Sequence, residues 1–432
     1  MKTTKKLCFC LLFAGFLAFI PTFVSAADNG RYFVSSSSGF WKNALGVRHN
    51  FDNGFTTDAS DFQLRLARVF GVDIKPVAVL QILPAESMDA NLPNADEQSE
   101  SDPQASPSPM LSSIPTPAPT KILAPKEATR GKDGTVRYLP SDKTPWGIET
   151  IYSDPLITLT SGGANSNVAI LDTGVYALHP DLTERVVQCK DFTNPRFPLI
   201  DGKCDDKNGH GTHVAGIIAA DGGADGKGIY GVAPQANLFA YKVCGTNGSC
   251  YADDIAVALR LAADQGANIV NMSFGSDQES PLIRDAVSYA ASKGVLLVAA
   301  AGNDGPFPDS IDYPGAYASV IAVGAIDQSM AITNWSSRGT NSDSTPWIVE
   351  DRDIEFAAPG EYIESTWNNG NYVILSGTSM ASPFIVGLAA KYWQSTATDP
   401  MTATRDFLHS LATDLSPLGD DNASGFGLPQ VK

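Results

Sequence analysis

The segment Val168-Ala169-Ile170-Leu171-Asp172-Thr173-Gly174 opens with four consecutive apolar residues and closes on an acid, a threonine and a glycine. A strand with one solvated face alternates apolar and polar residues, so an unbroken apolar run marks a strand covered on both faces. Runs of the same kind recur at Leu238-Phe239-Ala240-Tyr241, Ile269-Val270-Asn271-Met272, Val295-Leu296-Leu297-Val298 and Val320-Ile321-Ala322-Val323. Helical patterns fall between them, at 214–220, 253–264 and 282–292. That alternation predicts an α/β domain built in three layers around a mainly parallel central sheet. Reacting groups in such sheets gather beyond the carboxyl ends of the strands, and Asp172 stands at one of those ends.

Two further segments carry chemistry at helix starts. Gly209-His210-Gly211-Thr212-His213-Val214-Ala215-Gly216 sets a histidine at a glycine-marked turn before an apolar helix. Gly377-Thr378-Ser379-Met380-Ala381-Ser382-Pro383 does the same for a serine. A serine hydroxyl is a poor nucleophile at neutral pH and needs a base, an oxyanion site and access. The unpaired N–H groups at a helix mouth can supply part of the oxyanion site. Each residue alone has a plainer reading: a turn or cap for Asp172, a structural role for His210, a helix cap for Ser379. Together, in the order Asp, His, Ser, they are the components of nucleophilic acyl transfer.

On these three motifs, and over roughly residues 141 to 429, the chain resembles the subtilisin-like serine proteases, or subtilases. The resemblance implies a subtilisin-like catalytic domain that hydrolyses peptide bonds through an acyl-enzyme. Ser379 is then the nucleophile, His210 the general base and later acid, and Asp172 the group that holds the imidazole tautomer. His213 matches a second, non-catalytic histidine. Asn303, in Ala299-Ala300-Ala301-Gly302-Asn303-Asp304, matches the oxyanion-hole amide. Gly248-Ser249-Cys250 and Ser273-Phe274-Gly275 match the two segments between which a peptide substrate pairs as an added strand.

The chain departs from the family pattern at several positions. Asp304 and Asp312 fall beside and at the base of the S1 pocket, where small residues are common. A carboxylate there favours Lys or Arg at P1; the alternative is that Asp312 caps a turn and points away. Phe384 stands where histidine is frequent, which alters packing rather than chemistry. The resemblance also implies structural Ca²⁺, with Asp181 as a ligand and with Asp225 and Asp142 near two further sites; solvated acidic loops are the alternative at Asp142 and Asp221.

The remainder of the chain surrounds this domain. Of 432 residues 43% are hydrophobic, enough for a large core, and the net charge of −17 argues against nucleic acid or an anionic membrane as partner. Lys2, Lys5 and Lys6, an apolar run from Leu7 to Ile20 and Val24-Ser25-Ala26 read as a signal peptide over 1–26, implying a secreted protein with no membrane span after its removal. Cys189, Cys204, Cys244 and Cys250 then remain and allow three pairings; short loops favour Cys189–Cys204 and Cys244–Cys250 over the others and over a metal site. The second pair would stiffen one wall of the cleft.

Residues 27–84 read as a small α+β unit, with strands near Tyr32 and between Val72 and Leu83 and a helix capped at Ser60. A Pro/Ser-rich linker fills 85–140, and the catalytic domain spans 141–432. Position makes the small unit a propeptide that assists folding and blocks the cleft of a monomeric zymogen, with the processing site in the linker. Two rival readings are set aside. A serine esterase of the α/β-hydrolase type needs G-x-S-x-G and the order Ser, Asp, His. A binding-only pseudoprotease needs a lost triad or oxyanion residue, and all four are present.

Overall fold

The computed structural model describes residues 30–83, 128–130, 136–341, 348–415 and 418–432. The signal segment 1–26 and the linker core 85–127 lie outside the described residues. The chain divides into two units, one ending at Val77 and one beginning at Ala78.

In the first unit, β1 (Tyr32–Val34), β2 (Asn50–Phe51), β3 (Gly54–Thr57) and β4 (Ile74–Pro76) form an antiparallel sheet in the order β2-β3-β1-β4. Helices Gly39–Leu45 and Asp61–Val69 complete it. Val34, Leu45, Phe55, Leu64 and Ile74 make its core. The longer helix starts at Ser60, whose N–H and hydroxyl both donate to Gln63 Oε1, at 3.0 and 2.8 Å, tying the first turn back on itself. Strand β3 escapes the sequence reading because Gly54-Phe55-Thr56-Thr57 carries a single large apolar side chain.

The second unit begins with β5 (Val79–Ile82), and β6 (Ala128–Arg130) pairs with β7 (Val136–Tyr138). Its large sheet is made of β8 (Asn167–Asp172), β9 (Val186–Asp191), β10 (Ile200–Asp201), β11 (Asn237–Lys242), β13 (Ile269–Met272), β15 (Leu296–Ala300), β16 (Val320–Ile326) and β17 (Phe356–Pro359). The order is β10-β9-β11-β8-β13-β15-β16-β17, parallel throughout except for β10 at one edge. The continuous apolar runs are this sheet: β8, β11, β13, β15 and β16 are buried along nearly their whole length. Helices cover it in two sets, His210–Ala219 against Thr378–Lys391 and Ala252–Asp264 against Pro281–Ser292, giving the three-layer α/β arrangement.

Two short strands, β12 (Ser249–Tyr251) and β14 (Phe274–Gly275), stand apart from the large sheet and flank β5. Disulfides join Cys189 to Cys204 and Cys244 to Cys250. Among the described residues no helix is long and apolar enough to cross a membrane.

Candidate active site

Strand β8 delivers Asp172, fully buried, to the carboxyl edge of the sheet. Across from it, in register on β11, is Lys242. The Lys242 ammonium donates to the carbonyl oxygens of Thr173 and Cys244, tying together the turns that follow β8 and β11. Burial lowers the Lys242 pKa, and the carboxylates of Asp206, Asp191 and Asp172 work against that.

His210 opens its helix from Gly209, which has φ +112° and lies under the Trp367 ring, so a side chain at Gly209 is excluded on both counts. The imidazole Nδ1 is 2.9 Å from Asp172 Oδ1 and 3.0 Å from Oδ2. Nε2 has no hydrogen-bond partner among the described residues. Burial alone would lower the His210 pKa; the charge and hydrogen bond of Asp172, helped by Asp206, reverse this and raise it. Burial, reinforced by the charge of His210, pushes the His213 ring down to about 3, and its Nε2 sits 3.0 Å from the carbonyls of both Ile363 and Val373. A neutral His213 with Nε2–H donating satisfies that geometry, which is a packing role.

Asp206 is the organiser that motif reading misses. Its carboxylate accepts from the N–H groups of Asn208, Gly209 and Thr212, at 3.0, 2.7 and 2.9 Å, and from the hydroxyls of Thr212 and Thr173. One side chain thus satisfies the first turn of the histidine helix and braces the residue next to Asp172. The available signal was an acid four residues before His210, just ahead of the helix start.

Ser379 lies in the first turn of Thr378–Lys391 and is completely buried. Its Oγ donates to Ser273 O at 3.0 Å, and Ser273 Oγ donates to Ser379 O at 3.0 Å. Asn271 continues this network, donating to Ser273 Oγ and accepting from Ser382 Oγ, both at 2.9 Å. Asn303 Oδ1 accepts from Thr378 N–H at 3.0 Å and from Thr378 Oγ1 at 2.9 Å. This fixes the amide so that Nδ2 lies 3.4 Å from where a Cβ on Gly377 would stand, beside the turn that carries Ser379.

Gly248 and Ser249 belong to the wall at β12, Ser273, Phe274 and Gly275 to the wall at β14, and β5 lies antiparallel between the two. Leu80 faces Cys250, Gln81 faces both Ser249 and Gly275, and Ile82 faces Phe274. Ile82 also donates its N–H to Gly248 O at 2.9 Å. Extending the register one residue sets Leu83 opposite Ser273, the hydrogen-bond partner of Ser379. Asp312 does not point away: a Cβ on Gly275 would come within 2.5 Å of its Oδ2, and one on Gly302 within 3.0 Å.

The three acids read as calcium ligands do not converge in one group. Asp142 Oδ1 accepts from Thr144 N–H, and Asp225 Oδ1 from Lys227 N–H. Asp181 is fully buried, its Oδ2 accepting from Ile229 N–H at 2.9 Å and Tyr372 Oη at 2.7 Å. The 221–229 loop folds over it so closely that Gly228 has no room for a Cβ. The Ile229 and Tyr372 contacts both come from hydrogen-bond donors, and the carboxylate itself is a hard oxygen ligand of the kind Ca²⁺ takes.

A buried Asp–His pair, a serine at a helix mouth and an amide donor beside it define a serine hydrolase on a parallel α/β sheet. Comparisons carry this to a family. A profile of the Subtilase family, peptidase S8, matches residues 163–427. A subtilisin of Bacillus sp. (strain TA39) is 48% identical over 309 residues, covering 68% of this chain and 73% of that one. Subtilisin Savinase of Lederbergia lenta is 38% identical over 288 residues, 67% of this chain and 97% of that one. Two solved structures, the S41 psychrophilic protease and sphericase, each superpose with a TM-score of 0.64 at 48% identity, covering 68% of this chain and 99% of theirs. The chain belongs to the subtilase family and is a serine endopeptidase.

Proposed function

We propose that Asp172, His210 and Ser379 are the catalytic triad and that the chain is a secreted zymogen whose cleft is filled by its own strand β5. The observation that carries this is His210, held through Nδ1 by both oxygens of Asp172 while Nε2 has no partner among the described residues. On attack, Ser379 Oγ gives its proton to Nε2 as it bonds to the substrate carbonyl carbon. The imidazolium returns that proton to the leaving amine, and water repeats the cycle to release the acyl group. Asp172 keeps the proton on Nδ1 and stabilises the imidazolium. Asn303 Nδ2 and the Ser379 N–H stabilise the oxyanion.

A peptide bound as β5 is bound, between β12 and β14, presents the residue opposite Ser273 to the nucleophile. The N-terminal unit and β5 together act as the propeptide. Calcium is held by Asp181 with oxygens of the 221–229 loop, with Asp225 and Asp142 at or near further sites. Asp312 belongs to the substrate pocket. Covalent labelling of the processed protein by a fluorophosphonate probe, abolished in Ser379→Ala, is the expected result. Correctly folded, processed protein that takes up no label would refute the triad.

A further inference from the structure

Beneath the carboxyl end of β5 lies a concentration of negative charge that the reaction does not use. Asp277, Asp304 and Asp312 each offer a carboxylate oxygen, and all three atoms lie within 4.8 Å of one another. Asp277 and Asp304 are exposed, whereas Asp312 is 2% exposed and its Oδ1 has no partner among the described residues. Its Oδ2 faces Gly275, on the strand that pairs with β5, and Gly302, next to Asn303. A Cβ on either glycine would press against that oxygen, so the carboxylate packs against the backbone of both. It therefore lies between the two segments that bracket the peptide residue opposite Ser273.

Leaving a buried carboxylate oxygen unpaired beside two like charges is unfavourable, and a cation brought to it relieves this. Burial, then the charges of Asp304 and Asp277 and a hydrogen bond with Asp277, push the Asp312 pKa up to about 8, with the charge of Arg352 opposing.

We propose that Asp312, with Asp304 and Asp277 beside it, selects a lysine or arginine at P1, the residue preceding the scissile bond. The inference rests on the reading of this cleft as the peptide site. It assigns the enzyme to substrates cut after a basic residue, and Asp312 is the specificity-determining group. The cation belongs to the substrate because the carboxylate lies against Gly275, on the strand that pairs with the seated β5. A resident divalent metal is the competing occupant.

The test uses processed enzyme and four matched peptide substrates that differ only in P1: Arg, Lys, Leu and Phe. The expected kcat/KM is at least about tenfold higher for Arg than for Leu, and Asp312→Asn reduces that ratio by about tenfold or more. Since Asp312 is buried and its replacement can misfold, Asp277→Asn is the second variant, expected to lower the ratio about two- to threefold. Wild type that reacts with a fluorophosphonate yet cleaves Leu as readily as Arg overturns this inference and leaves the protease intact. Wild type that takes no label sinks the underlying reading instead. Calcium titration of the labelled enzyme supplies the last arm: one ion fewer bound by Asp312→Asn assigns the cluster to a metal and overturns the proposal.

Discussion

The Ser379 hydroxyl donates to the carbonyl oxygen of Ser273 at 3.0 Å, on the segment that forms one wall of the peptide cleft. His210 Nε2, the proposed base, has no partner among the described residues in the same arrangement. With β5 seated in the cleft the nucleophile is thus bonded to the binding wall. A rotation about its Cα–Cβ bond is what brings Oγ to the imidazole.

Asn303→Ala removes the proposed side-chain oxyanion donor while leaving the Ser379 N–H. Turnover is expected to fall about a hundred- to a thousandfold with little change in KM; that magnitude is the known one for the equivalent donor in subtilisin, not a value calculated from this geometry. Steady-state kinetics on a single peptide checks it, and a loss confined to KM would assign Asn303 to binding.

Asp206→Ala leaves three N–H groups at the start of the histidine helix without their acceptor. Because that helix aims His210 at Asp172, kcat is expected to drop about tenfold to a hundredfold through misplacement of the ring. A positioning role also predicts that the apparent pKa of the kcat/KM profile falls, since Asp206 helps raise His210. Lost stability with an unmoved pH profile would reduce Asp206 to a structural cap.

The preference for arginyl over leucyl peptides should depend on pH. Burial and the neighbouring Asp304 and Asp277 push the Asp312 pKa up to about 8, with Arg352 opposing. Below that value it is protonated and attracts a P1 cation weakly; above it the full charge is present. The Arg/Leu ratio of kcat/KM, in which the His210 dependence cancels, therefore rises between about pH 6 and 9. Asp312→Gly should flatten it.

Maturation should follow the same rule. Leu83 lies opposite Ser273 but precedes Pro84, and carries no cation for Asp312. The mature N-terminus is expected to follow Lys121, Lys126, Arg130, Lys132 or Arg137. Amino-terminal sequencing that begins at Pro84, or after an apolar residue, would contradict it.

Away from the cleft, Glu355 is completely buried and paired with Arg405 at 2.7 and 2.5 Å and with His409 at 2.8 Å. Burial would raise the Glu355 pKa, but Arg405 and His409 override it and hold it low. A carboxylate lowered on folding contributes stability at neutral pH that is lost as pH falls through the acid range. Arg405→Met strands the charge and is expected to cost about 3 to 5 kcal/mol at neutral pH, less in acid, by thermal unfolding.

Much of the catalytic unit could be read from sequence because a strand buried on both faces has no polar alternation to confuse it. Val168–Leu171 and Ile269–Met272 lie inside β8 and β13 for that reason. The motif residues were legible because acyl transfer needs particular side chains at turns. Asp206 and Lys242 were not: their roles depend on partners from separate loops, which no local pattern encodes. The orientation of Asp312 was equally hidden, since it follows from how closely Gly275 and Gly302 approach it. Strand β5 read as the end of the small N-terminal unit, yet among the described residues it pairs with β12 and β14, because its register partners lie about 170 and about 190 residues further on.

The order in which the sheet is assembled has a consequence for timing. Asp172 and His210 are 38 residues apart, but the Ser379–Ser273 contact spans 106, and the serine helix packs against β13, β15, β16 and β17. A chain made from its N-terminus acquires the acid and the base long before the nucleophile. Closing such distant contacts is slow in a parallel sheet. Until residues beyond 380 have been synthesised and docked, a growing chain carries an unarmed site.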